Sequence, residues 1–176
     1  MKLGLGTVQF GLDYGVSNRV GRTPPDEVGR VLNYARRQGI SLLDTAADYG
    51  ESEAVLGRFL EPGHGFRIVT KTPRLGVARV TAAEASALRS AYERSLARLR
   101  QDRLYGVLIH AVDELLAPGG ERLWEAMTRL GQEKLVEKIG VSVYSAAQID
   151  AVLDRFQPDL VQVPVNVLDQ RLLASR

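Results

Sequence analysis

The stretch Ile40-Ser41-Leu42-Leu43-Asp44-Thr45-Ala46-Ala47-Asp48-Tyr49-Gly50-Glu51-Ser52-Glu53 decides how the rest of the chain is read. A short apolar run, Ile40-Ser41-Leu42-Leu43, follows Gly39 and ends in a carboxylate, the pattern of a buried strand. The chain then turns and presents Tyr49 five residues after Asp44. Ser52 has the chemistry of an N-cap for a helix carrying Val55, Leu56, Phe59 and Leu60. An acid and a phenol are thus expected in one strand-to-helix loop. Taken alone, the stretch fits a capping aspartate and a loop tyrosine equally well.

Outward from this unit, the same punctuation repeats. Leu3-Gly4-Leu5-Gly6-Thr7 reads as a first strand, followed by a glycine-broken loop through Gly15. Pro24-Pro25-Asp26 opens a helix with Val28, Val31, Leu32 and Ala35, closed by Arg36, Arg37 and Gly39. Phe66–Thr70 is a strand ending at Lys71, and Thr81-Ala82-Ala83-Glu84 is a capping box for a helix with Leu88, Tyr92, Leu96 and Leu99. Leu104–Ile109 ends at His110. Leu123, Trp124, Met127 and Leu130 mark a helix that Gly131 interrupts or caps. Ile139–Val141 ends at Ser142, Ser145 caps a helix with Ile149, Val152, Leu153 and Phe156, and Leu160–Val163 is a sixth strand. Residues 169–176 open a further helix. Six strands alternating with helices predict a parallel α/β sheet.

Composition sets the class. With 45% hydrophobic and 25% charged residues, 176 residues support one domain with a core. The net charge of +2, without a basic run interleaved with aromatics, argues against nucleic-acid binding. No cysteine is present, so thiolate ligands and a cysteine nucleophile are excluded; with only two histidines, no metal site is expected. No run reaches membrane-spanning length and no signal-peptide core opens the chain, which predicts a cytoplasmic protein without a membrane partner. Neither a Gly-x-Gly-x-x-Gly turn after the first strand nor a Gly-Lys-Ser/Thr loop occurs.

The polar residues fall in one pattern. Thr7, Asp44, Lys71, His110, Ser142 and Gln162 each lie at or near the carboxyl end of an expected strand. In an eight-stranded α/β barrel such ends converge on one mouth. Six of them favour the barrel over a doubly wound sheet, where only the switch-point crevice forms a site. The chemistry is that of carbonyl reduction. Tyr49 is the general acid, a lysine ammonium lowers the phenol pKa, a carboxylate fixes the lysine, and a histidine orients a carbonyl. Each residue also has a bland role: Asp44 as a cap, Lys71 as a solvated lysine, His110 as a core histidine. His64 reads as a loop residue, and Asp48 as a group that solvates the loop.

The sequence resembles the aldo-keto reductase family. The resemblance runs through Leu3–Thr7, Leu43–Gly50 with Ser52-Glu53 and Leu56-Gly57, Thr70-Lys71, Leu108–His110, Ile139–Ser142 and Val161–Asn166, in order. It implies a (β/α)8 barrel, here incomplete at about six βα units. It also implies a single domain over residues 1–176 that lacks strands seven and eight. The implied catalytic set is Asp44, Tyr49, Lys71 and His110. The implied cofactor residues are Gly6, Thr7, Asp44, Ser142 and Gln162, for NADPH, with NAD the alternative. The opening from Gly6 to Gly15 resembles bacterial members encoded beside sugar-modifying enzymes, so the implied reaction reduces an aldehyde or ketone, sugar-derived carbonyls included. Val143 stands where many members have asparagine. A full barrel takes about 250 residues, so open strand edges and self-association through them are expected. Two rivals follow: a truncated, non-catalytic regulatory or interaction protein, and a lyase or isomerase using Lys71 as a Schiff-base amine.

Overall fold

The computed structural model describes residues 3–174. Six strands, β1 (Gly4–Gly6), β2 (Leu42–Asp44), β3 (Arg67–Lys71), β4 (Leu104–Ile109), β5 (Val136–Ser142) and β6 (Leu160–Gln162), pair in chain order, all parallel. Among the described residues the helices are α1 (Pro25–Arg37), α2 (Ser52–Phe59), α3 (Ala82–Leu99), α4 (Val112–Leu116), α5 (Glu121–Gln132), α6 (Ala146–Leu153) and α7 (Arg171–Ala174). Among the described residues no helix is long and apolar enough to cross a membrane.

The sheet is curled. The side chains of Asp44 on β2 and Gln162 on β6 meet at 3.1 Å, although four strand spacings separate them. A flat sheet would hold those strands about 19 Å apart. Consecutive strand order without a reversal, together with this curl, makes an incomplete (β/α)8 barrel rather than a doubly wound sheet. Strand residues alternate between two cores. Leu43, Ile68, Val107, Ile139 and Val141 belong to the apolar cluster that also holds Leu32, Leu56, Leu88, Met127 and Val152 of the helices. Asp44, Lys71, Ser142 and Gln162 take the intervening positions and point to the concave side.

Helix ends largely follow the local chemistry. Pro25 sits in the first turn of α1, with Asp26 and Glu27 there and Arg36 and Arg37 in the last, complementing the dipole. The capping box of α3 forms: Ala83 N–H donates to Thr81 Oγ1, and Thr81 N–H to Glu84 Oε2 at 2.7 Å. Ser145 accepts from Gln148 N–H at the start of α6. Other expectations fail. Ser52 is not a cap; Glu51 holds that position and Ser52 is the first helical residue, fully buried. The second strand starts at Leu42 and includes Asp44. The fifth begins at Val136, with Glu137 and Lys138 inside it. Gly131 lies within α5 rather than ending it. The loop after β1 holds a 3-10 turn, Val8–Phe10. Of the apolar residues in α2 and α6, Phe59 and Leu153 are exposed.

Candidate active site

The carboxyl ends of the strands carry a connected polar cluster. Lys71, at the end of β3, is 2% exposed. Its ammonium donates to Asp44 Oδ1 at 2.6 Å, to the Thr45 carbonyl at 3.1 Å and to the Tyr49 hydroxyl at 3.4 Å. These three contacts tie the Lys71 side chain to the β2 end and to the Tyr49 loop. Asp44 Oδ1 also accepts from Gln162 Nε2. Side chains from two other strands, β3 and β6, therefore converge on the carboxylate that ends β2.

Beneath this lies a buried hydroxyl network. Thr7, 0% exposed, donates through Oγ1 to the Asp44 carbonyl at 2.9 Å. Ser52 Oγ donates to the Thr7 carbonyl at 2.8 Å and lies 3.0 Å from Thr45 Oγ1. Instead of capping the helix, Ser52 ties the β1 end to both ends of the Tyr49 loop. Gly6 is in register with Asp44, and Ser142 ends β5 beside Gln162. Val143 is fully buried in the apolar core.

Tyr49 corrects an electrostatic expectation. Its pKa is pushed up to about 12, by burial first and then by the Asp44 carboxylate. The ammonium does not lower it, because Asp44 at 2.6 Å offsets that charge. Tyr49 is thus a phenol, not a phenolate, at neutral pH. Since its oxygen accepts from Lys71, its own O–H is left to donate elsewhere. His110, 5% exposed, stands edge-on to Tyr49 with ring centroids 6.0 Å apart. Burial, with Arg74 and Lys71 nearby, lowers its pKa, so the ring is neutral. Asp48, read as a solvating group, lies 3.5 Å from His110 Nδ1 and accepts from Arg74 N–H at 3.0 Å. The signal available in sequence was a carboxylate immediately before the tyrosine. Arg74 carried no signal. His64 lies elsewhere, accepting from Phe66 N–H in its loop.

Two glycines shape the loop. A Cβ at Gly11 would overlap the Tyr49 carbonyl oxygen, and Gly50 has φ +56° against the Gly11 carbonyl. The loop after β1 therefore packs backbone-on-backbone against the Tyr49 loop.

Comparison with known proteins gives one picture. The model of the Aldo/keto reductase family matches residues 2–175. No curated protein matches significantly. Among solved structures, a Pseudomonas aeruginosa protein assigned as a candidate aldo-keto reductase is 32% identical, with TM-score 0.79, over 96% of this chain and 64% of its own. An aldo-keto reductase from Bacillus halodurans shares the fold at 22% identity and TM-score 0.75, covering 97% of this chain and 55% of that one. A Klebsiella pneumoniae aldo/keto reductase, solved in complex with NADP and acetate, is 26% identical with TM-score 0.65, covering 88% and 49%. The chain spans less than two thirds of each relative's length.

Proposed function

Because the chain belongs to the aldo/keto reductase family, we propose that it carries the proton-transfer and nicotinamide-facing part of an NADPH-dependent reductase. The reductase takes aldehydes or ketones, sugar-derived ones included, to alcohols. The observation that carries this reading is the single cluster made by Asp44, Tyr49 and Lys71, with His110 beside it.

The residues fit a nicotinamide carboxamide. Gln162 gives one amide N–H to Asp44, which orients the amide and leaves its carbonyl oxygen as an acceptor and its second N–H as a donor, while Ser142 offers a hydroxyl from the neighbouring strand. Asp44 and exposed Gly6 adjoin them, fully buried Thr7 supports Asp44 from beneath through its carbonyl, and buried Val143 adds no polar contact. NADP(H) is favoured over NAD by the Klebsiella relative solved with NADP. The cofactor, when bound, supplies a hydride to the carbonyl carbon. Tyr49 gives its proton to the carbonyl oxygen, and Lys71 stabilises the phenolate that remains. Asp44 holds Lys71 in place, and neutral His110 forms the adjacent wall of the substrate site. A cytoplasmic setting is part of the same proposal.

Titration with NADPH, followed by fluorescence, together with carbonyl-dependent NADPH consumption, tests this reading. Binding with turnover is expected. No detectable binding would favour the non-catalytic alternative.

A further inference from the structure

Three loops around Tyr49 each carry an exposed side chain with a polar tip: Tyr14 after β1, Arg74 after β3 and Tyr144 after β5. Those tips act on the reacting groups. After burial and Asp44, the groups that shift Tyr49 are Tyr144, Tyr14 and Arg74. After burial, the first charge to act on His110 is Arg74, ahead of Lys71. The main chain places Arg74 at the same spot. Thr72 Oγ1 accepts from His110 N–H at 3.3 Å, and a single oxygen, Asp48 Oδ2, lies between Arg74 N–H and the His110 ring.

The backbone under these side chains is pinned. Arg74 N–H donates to Asp48 Oδ2 at 3.0 Å, and Leu75 N–H and Gly76 N–H donate to Glu114 Oε1 of α4 at 2.7 Å and 2.6 Å. Three consecutive amides are thus held by two carboxylates from two other segments. Helix α4 steadies the next loop as well: Asp113 Oδ1 accepts from Gln148 Nε2 at 2.9 Å, and Gln148 Oε1 accepts from Tyr144 N–H at 2.8 Å. The Tyr14 carbonyl accepts from Gln9 Nε2 and Asn18 Nδ2. An exposed arginine is ordinarily a solvated charge on a flexible stem. Here the two carboxylates beside its main chain spend oxygens on amides, and among the described residues Arg74 forms no ion pair.

We propose that Arg74, flanked by the Tyr14 and Tyr144 hydroxyls, is a subsite for an anionic group, carboxylate or phosphate, that the carbonyl substrate carries away from the carbon to be reduced. A guanidinium meets two oxygens of either group at once, and phenol O–H groups add donors beside it. Asp44 is offset by Lys71, and Asp48 turns Oδ2 toward Arg74 N–H and His110, so the guanidinium is left to the ligand. A loop fixed before binding loses little freedom when the anion arrives. The substrate half rests on the carbonyl-reductase reading; the anion site does not.

The test measures kcat/KM in NADPH turnover for succinic semialdehyde against butyraldehyde, and for glyceraldehyde 3-phosphate against glyceraldehyde, in the wild type and in Arg74→Gln. The variant changes an exposed side chain and keeps the N–H that Asp48 holds. In at least one pair the wild type should prefer the anionic member, and the ratio should fall about tenfold in the variant, the scale of one charge-assisted contact. The pair that responds tells carboxylate from phosphate. No anionic preference in the wild type, or ratios unchanged in the variant, for both pairs overturns the proposal. If the wild type reduces none of these aldehydes, the proposed function fails, and calorimetric titration with succinate and with inorganic phosphate decides the anion site. Wild-type binding of either that Arg74→Gln weakens about tenfold sustains it; no binding, or equal binding by the two proteins, overturns it.

Discussion

At the scale of single residues, the site balances charge rather than concentrating it. Asp44 sits 2.6 Å from the Lys71 ammonium, and Tyr49, whose hydroxyl lies 3.4 Å from that ammonium, stays protonated. Asp44 and Lys71 were legible as strand ends because each closes a largely apolar stretch, while Tyr49 was legible only as a loop residue five positions after Asp44. The sequence did not disclose the sign of the Tyr49 shift, since that depends on how closely Asp44 approaches Lys71. The acid form of Tyr49 persists up to about pH 12, so kcat/KM in the reductive direction should show no tyrosine-linked fall between about pH 7 and pH 10. A pH profile checks this; a fall centred near neutrality would contradict it. His110 makes a different prediction. Its folded pKa is depressed, so the unfolded chain binds the proton more readily. The stabilisation is full above the ordinary histidine value and is lost as pH falls from there through the lowered folded value. Thermal melts should show a shallower loss below about pH 6.5 in His110→Gln than in the wild type.

At the scale of elements, the loops are pinned from behind. Glu53 of α2, 1% exposed, accepts from Thr70 Oγ1 on β3 at 2.6 Å and from Arg98 of α3 at 2.8 Å. The helix that follows Tyr49 is thereby fixed to the residue preceding Lys71. Arg98→Ala leaves that carboxylate without its cation. Since Arg98 is partly exposed, the expected cost is about 2–3 kcal/mol, read as a lower melting temperature. Gly11→Ala should displace the Tyr49 loop, lowering turnover at least tenfold while the far-UV spectrum is retained. Strand–helix alternation and the α3 capping box were legible because periodicity and caps are local signals. Helix α4 was not: five residues carry no periodicity. Its buried Glu114 matters only through Leu75 N–H and Gly76 N–H, which it accepts from the loop after β3. The start of β5 was hidden by Glu137 and Lys138, and Lys138 is held by Asp159 at 3.6 Å. Ser52 looked like a cap because capping and burial use the same hydroxyl chemistry.

At the scale of the whole molecule, the sheet curls enough to bring β2 and β6 together at the mouth, yet β1 and β6 do not pair among the described residues. Exposed Leu3 lies next to the first edge, and exposed Val161, Val165, Val167 and Leu168 lie on or after the other. Unpaired strand edges flanked by apolar groups recruit further strands. A polypeptide of these 176 residues should therefore sediment as a species larger than its 19.3 kDa mass. A stable monomer at micromolar concentration would contradict that. The curl was legible only as the coincidence of polar residues at strand ends. Pairing order and the span from Gln162 to Asp44 are long-range facts that no local window contains.

The most direct test of the convergent cluster is Tyr49→Phe, assayed beside the wild type for NADPH binding and for carbonyl-dependent NADPH consumption. Removing one hydroxyl should leave the dissociation constant within about twofold and lower kcat by about 10²–10⁴, the worth of a positioned general acid. Equal turnover by the two proteins would contradict the role assigned to Tyr49, and with it the account of the site.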